Sequence, residues 1–122
     1  MGDQFSDFTL AAVQATPAFL DRDASIDKAV QLVEQSGSEG ADLAVFGETW
    51  VPGYAGWAER PGDGRIGGLL TRFVLNGVEV PSTATDALCR AARRAGTDVV
   101  IGVAERDRTT GGTIYCTLLF IG

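Results

Sequence analysis

Apolar positions along this chain alternate between two spacings, and the changes of spacing mark its elements. Phe8 to Gln14 is mostly apolar and closes at Thr16-Pro17, which predicts a first strand ending in a turn. Ile26, Ala29, Val30 and Val33 then fall at i, i+3, i+4 and i+7, the stripe of an amphipathic helix. Asp21 and Asp23 supply a capping side chain and negative charge at its start, and Gly37 and Gly40 predict its end. Leu43-Ala44-Val45-Phe46 is a short apolar run without alternation, the pattern of a strand in a sheet covered on both faces. These three elements make a β-α-β unit, for which a right-handed crossover is expected.

Residues 55–68 are rich in glycine, proline and charge around Arg60-Pro61-Gly62-Asp63-Gly64-Arg65, which predicts a loop. Leu69 to Asn76 predicts a short helix. Pro81-Ser82 opens a second long helix with Ser82 as its N-cap. Ala84, Ala87, Leu88, Ala91 and Ala95 form its apolar stripe, and Gly96 stops it. Val99 to Val103 predicts a third strand and Thr113 to Ile121 a fourth, joined across the turn Thr109-Thr110-Gly111-Gly112 as a hairpin. The fold class is therefore α/β, the front half of a layered domain with a mixed sheet and two main helices. The last apolar strand has no closing helix after it, so residues 1–122 are expected to be part of a larger domain. Alone, the chain is expected to self-associate through that uncovered strand.

Composition narrows the function. A chain of 122 residues with 45% hydrophobic and 21% charged residues suits one soluble globular unit. The net charge of −6, with nine Arg and one Lys, argues against a nucleic-acid surface. The one basic cluster, Arg90, Arg93 and Arg94, reads as a solvated helix face. No apolar run is long enough to cross a bilayer, and no secretory leader pattern is present. Met1-Gly2-Asp3-Gln4-Phe5-Ser6 fits a loose myristoylation pattern but has no polybasic companion, so no membrane partner is expected. Two cysteines make no disulfide framework, which points to a reducing compartment and a cytoplasmic location. They read as small buried hydrophobes. The absence of histidine from these residues rules out Ser-His-Asp and Cys-His pairs and imidazole zinc sites within them, and no cofactor or metal ligand cluster appears.

Candidate chemistry gathers at Phe46-Gly47-Glu48-Thr49-Trp50-Val51-Pro52-Gly53-Tyr54. Glu48 follows a buried strand, at the edge where α/β sheets build their sites. The Pro52-Gly53 turn folds aromatic side chains back toward it. A carboxylate on a rigid element inside aromatic walls is the arrangement a general base needs. Tyr54 and Trp57 read as walls of a substrate pocket or as packing around it, and Trp50 as core. Glu105 also ends a strand and reads as shaping the pocket or, more readily, as the hydrogen-bond or salt-bridge partner of a nearby arginine.

Ala11-Ala12-Val13-Gln14-Ala15-Thr16-Pro17, Lys28-Ala29 and Gly40-Ala41-Asp42-Leu43-Ala44-Val45-Phe46-Gly47-Glu48 together resemble the opening of a nitrilase, in the carbon–nitrogen hydrolase superfamily. Asn76-Gly77-Val78-Glu79-Val80-Pro81, Ile101-Gly102-Val103-Ala104-Glu105-Arg106 and Gly112-Thr113-Ile114-Tyr115 continue the likeness in order. The Pro52-Gly53-Tyr54 turn and Trp57 resemble the nitrilase branch more than the amidase or carbamoylase branches. The resemblance implies an α-β-β-α sandwich, homo-oligomeric assembly and a Glu-Lys-Cys catalytic set acting on a small nitrile or amide. Of that set only Glu48 has a counterpart. Lys28, Cys89 and Cys116 do not occupy the family's lysine and nucleophile positions, and a nitrilase often has asparagine where Cys116 stands. The two other readings are an amidase-type hydrolase and a non-enzymatic assembly module.

Overall fold

The computed structural model describes residues 2–60 and 62–122. Met1 of the myristoylation pattern and Pro61 of the predicted loop lie outside the described residues. Four strands, β1 (Leu10–Ala12), β2 (Leu43–Val45), β3 (Asp98–Arg106) and β4 (Ile114–Ile121), form one sheet in that order. The helices are α1 (Arg22–Ser38), α2 (Ile66–Leu75) and α3 (Thr83–Ala95), with a 3₁₀ turn at Gly56–Glu59. β1, β2 and β3 run parallel, and β4 returns antiparallel on β3, pairing Val99 with Ile121 and Arg106 with Ile114. The mixed sheet and the hairpin expected from the sequence are both present. Among the described residues no helix is long and apolar enough to cross a membrane.

Local chemistry explains the helix ends. The Asp21 carboxylate accepts the Ala24 N–H at 3.0 Å and starts α1. Gly37 does not stop α1, as the sequence suggested; the helix runs through it to Ser38, and Gly40 (φ 86°) follows. The glycine at 37 is needed for space, because a Cβ there would stand 2.6 Å from the Ala95 carbonyl oxygen at the end of α3. Helix α3 begins where Ser82 N–H donates to Thr85 Oγ1 at 2.8 Å, and ends at Gly96 in the left-handed region (φ 61°). Helix α2 starts three residues earlier than expected, because Ile66 N–H donates to the Asp63 carbonyl and winds the end of the glycine-rich loop into the first turn.

Burial differs between the two faces of the sheet. Val99, Ile101 and Val103 of β3 point toward α1 and α3 and are fully buried with Ala29, Val33, Leu88 and Ala91. Alternation along β3 sends Val100, Gly102 and Ala104 to the other face. There, Leu20 and Phe73 cover Ala104 at the carboxyl end of the sheet, while Leu10, Leu118 and Phe120 at the opposite end are exposed. The expectation of cover on both faces is thus met only in part: α1 and α3 cover one face, while Leu20 and the α2 residue Phe73 cover only one end of the other. Apolar runs of three residues, such as Leu43–Val45, cannot register which side is covered. Arg90, Arg93 and Arg94 lie on the solvated side of α3, where Arg94 pairs with Glu34 of α1 at 2.6 Å.

Candidate active site at the carboxyl end of the parallel strands

β2 stops at Val45, but the chain stays beside β3. Phe46 N–H donates to the Val100 carbonyl at 2.8 Å, and Val51 rejoins β3 opposite Val103. Residues 47–50 form an outward bulge between these two anchors. Trp50 turns inward from it: it is buried, its ring meets Phe46 edge-on at 5.0 Å, and its Nε1–H donates to the Ala15 carbonyl at 2.7 Å. That is the core role expected of it. Thr49 holds φ at 40°, a left-handed conformation that a β-branched residue rarely takes and that costs about 1–3 kcal/mol. Strain of this kind persists where surrounding contacts fix the backbone.

Glu48 rides on the crest of this bulge. Its side chain is exposed to a cavity of about 300 Å³, whose lining includes Thr49, Tyr54, Glu59, Phe73, Tyr115 and Cys116. Tyr54, 66% exposed, stands on the same cavity after the Pro52-Gly53 turn. Trp57 stands one layer back. Its ring packs edge-on against Phe19 at 6.5 Å and against Phe73 at 6.2 Å, so it backs the wall that Phe73 presents. The Trp57 Nε1 and Thr49 Oγ1 atoms are enclosed without a hydrogen-bond partner.

Leu20 ties the surroundings together. It is fully buried at φ 52°, its N–H donates to the Pro52 carbonyl at 2.9 Å, and its own carbonyl accepts from Arg72 Nε at 3.1 Å. The turn that carries Tyr54 and the helix that carries Phe73 therefore meet at one backbone unit.

Two expectations are corrected here. Cys89 and Cys116 are both exposed rather than buried. Cys89 sits on the outer side of α3. Cys116 follows the β4 alternation onto the same face as Gly102 and Ala104, where its thiol donates to Glu48 Oε1 at 3.5 Å. Although Cys116 is exposed, partial desolvation against the cavity wall, with the hydrogen bond and charge of the adjacent Glu48 carboxylate, pushes its thiol above its ordinary pKa and favours the protonated form. Glu105 takes Thr117 Oγ1 as its donor at 2.7 Å, in place of the arginine expected for it. Lys28 is remote in role as well as in sequence, with its Nζ donating to the Thr16 carbonyl at 2.6 Å. Sequence reasoning missed Glu59, Phe73, Tyr115 and the Cys116 contact. The β4 alternation gives the face of Cys116, but nothing local gives its distance from Glu48.

The whole arrangement can present the Glu48 carboxylate to a small molecule in a hollow partly walled by aromatic rings, with the Cys116 thiol beside it and Glu59 also on the wall. A wider comparison agrees with the resemblance in sequence. The chain is 47% identical over 118 residues to Nitrilase 2 of an unidentified prokaryote, covering 97% of this chain and 38% of that protein. It is 37% identical over 120 residues to an aliphatic nitrilase of Sinorhizobium fredii, covering 93% and 37%. It is 35% identical over 113 residues to an arylacetonitrilase of Aspergillus niger, covering 89% and 32%. The chain thus spans less than two-fifths of the length of these curated relatives. The carbon–nitrogen hydrolase family model matches residues 9–122, and the chain belongs to that family.

Proposed function

We propose that this chain is the N-terminal portion of a nitrilase subunit, with residues 1–122 forming part of one catalytic domain and Glu48 acting as its general base. The observation that carries the reading is Glu48 on a strained bulge at the carboxyl end of the parallel strands, opening into a cavity beside Tyr54. The names of the relatives support a nitrile as substrate. A lysine and a nucleophilic cysteine come from the remainder of the subunit. Tyr54 walls the substrate, and Trp57 holds Phe73 in place behind it.

The chemistry balances with two waters. Glu48 takes the proton of the nucleophilic thiol, whose sulfur bonds to the nitrile carbon, and passes that proton to the nitrile nitrogen to give a thioimidate, which returns Glu48 to its carboxylate form. A lysine ammonium stabilises charge developing on that nitrogen. Water, deprotonated by the same carboxylate, adds to the carbon, and ammonia leaves. A second water then cleaves the thioester to release the carboxylic acid and the thiol. Such a thiol needs a reducing environment, which suits the cytoplasm. The subunits assemble as a homo-oligomer.

The test is turnover by the whole subunit on a matched nitrile and amide, with ammonia and acid as products. Glu48→Gln is expected to lower kcat by about 10²–10⁴-fold, the usual contribution of a positioned base. Retention of parental kcat by that variant overturns the assignment of Glu48. Preference for the amide over the nitrile overturns the substrate class.

A further inference from the structure

We propose that Gly102 is a positioning residue for Glu48: the missing side chain on β3 lets the bulge at 47–49 sit directly on the sheet, and that seat fixes where the carboxylate stands. A Cβ built at 102 would lie 2.5 Å from the Gly47 carbonyl oxygen, 2.6 Å from the Thr49 nitrogen and 2.8 Å from the Glu48 Cα. All three are backbone atoms, so no rotamer change relieves the collision.

Space, and not backbone freedom, is what the glycine supplies. Gly102 lies inside β3, paired with Leu118, and is absent from the glycines at positive φ. Any residue could adopt its backbone; none with a Cβ fits beneath the bulge. Gly64, Gly67 and Gly68 meet nothing within 4 Å. Gly56 on the cavity wall would bring a Cβ 2.9 Å from Tyr54 Cε1, but that is the far end of a side chain that can turn aside; among the described glycines, Gly102 is the one whose three nearest atoms are all backbone. The segment above cannot slide away, because it is anchored on both sides: Phe46 N–H to the Val100 carbonyl at 2.8 Å, and Ala104 N–H to the Val51 carbonyl at 2.8 Å. The Gly102 carbonyl itself accepts the Val51 N–H at 3.2 Å. An added methyl therefore lifts the crest, with Glu48 on it, while the anchors hold the ends. The left-handed Thr49 is the visible strain of that close seat.

The proposal rests on the reading of Glu48 as a base, and its test separates the two. In the whole subunit, Gly102→Ala is expected to lower kcat about 100-fold with KM little changed, because a displacement of about 1 Å costs that much in a positioned group, and to lower the melting temperature, because the collision is with backbone. Gly67→Ala, with open space around it, is the control and keeps parental rates. A second readout needs no turnover. Alkylation of Cys116 by iodoacetamide, followed at its own peptide by mass spectrometry, has a pH midpoint raised in part by Glu48. Gly102→Ala is expected to bring that midpoint down, in the direction given by Glu48→Gln. A folded Gly102→Ala subunit with parental kcat and a parental Cys116 midpoint overturns the proposal. If the subunit turns over no nitrile, the function proposed above falls, and the Cys116 midpoint alone decides the role of Gly102. If the alanine variant does not fold, a crystal structure of the unsubstituted subunit decides. Backbone of 47–49 in contact with the Gly102 Cα upholds the seat, and a gap wide enough for a methyl group there overturns it.

Discussion

The two faces of the sheet do different work with the same strand. On one face β3 presents Val99, Ile101 and Val103 to α1 and α3, with every side chain buried. On the other, alternate residues Val100, Gly102 and Ala104 meet a bulge, a cavity wall and open surface. The first face is packed by regular helices and holds the chain together. The second is irregular, strained at Thr49 and Leu20, and carries the cavity that Glu48 and Glu59 line. The packed core and the cavity are separated by the two-residue period of a single strand.

The largest expected effect tests that separation directly. Ile101→Ala, on the helix side, is expected to cost about 2–5 kcal/mol in denaturant unfolding. Leu118→Ala, half-exposed on the other side, is expected to cost about 0.5 kcal/mol. Equal losses would break the division. Next, the bare end of the open face, with Leu118 and the 75%-exposed Phe120 on edge strand β4, is expected to drive self-association of the isolated chain. Phe120→Lys should lower its apparent mass by light scattering, and an unchanged mass would place the contact elsewhere.

A smaller effect sharpens the comparison at the site. Glu48→Gln should lower the pH midpoint of Cys116 alkylation without returning it fully, because partial desolvation at the cavity wall also raises it. The sign follows from the folded pKa lying above the unfolded one. The thiol stabilises the fold below its unfolded pKa, and that contribution is lost as pH rises through the folded value. The smallest effect lies in the hairpin turn, away from both faces. The Asp107 carboxylate accepts from the Thr109 hydroxyl and from the Thr110 and Thr109 amides, which lowers its pKa. Its contribution is present above the unfolded carboxylate pKa and is lost as pH falls through the folded value. Asp107→Asn should therefore flatten the acid side of the stability–pH curve slightly, as read by thermal melts.

What the sequence made legible was local. The stripe Ile26, Ala29 and Val33 gave α1, and Ser82 with Gly96 bracketed α3. Glu48, Tyr54 and Trp57 were marked by a strand end and a turn. Helix packing was not legible: Gly37 looked like a stop because the approach of Ala95 is made across the fold. Gly102 gave no signal, since its backbone is ordinary strand and its constraint comes from residues more than fifty positions earlier. The Cys116–Glu48 contact spans 68 positions and depends on hairpin register. Cover of the second face was invisible for the same reason. An apolar run records that a residue avoids water, and does not record what excludes it.

Leu20 has a consequence for traffic through the cavity. Its amide holds the loop bearing Tyr54, while its carbonyl holds the helix bearing Phe73, so the two aromatic jambs hang from a single hinge pin. A bulky guest that needs their backbones apart must break one of those bonds or swing both sides together. The backbone frame of that doorway widens by breaking at the pin or by moving as one piece, while the exposed Tyr54 ring stays free to swing on its own side-chain bonds.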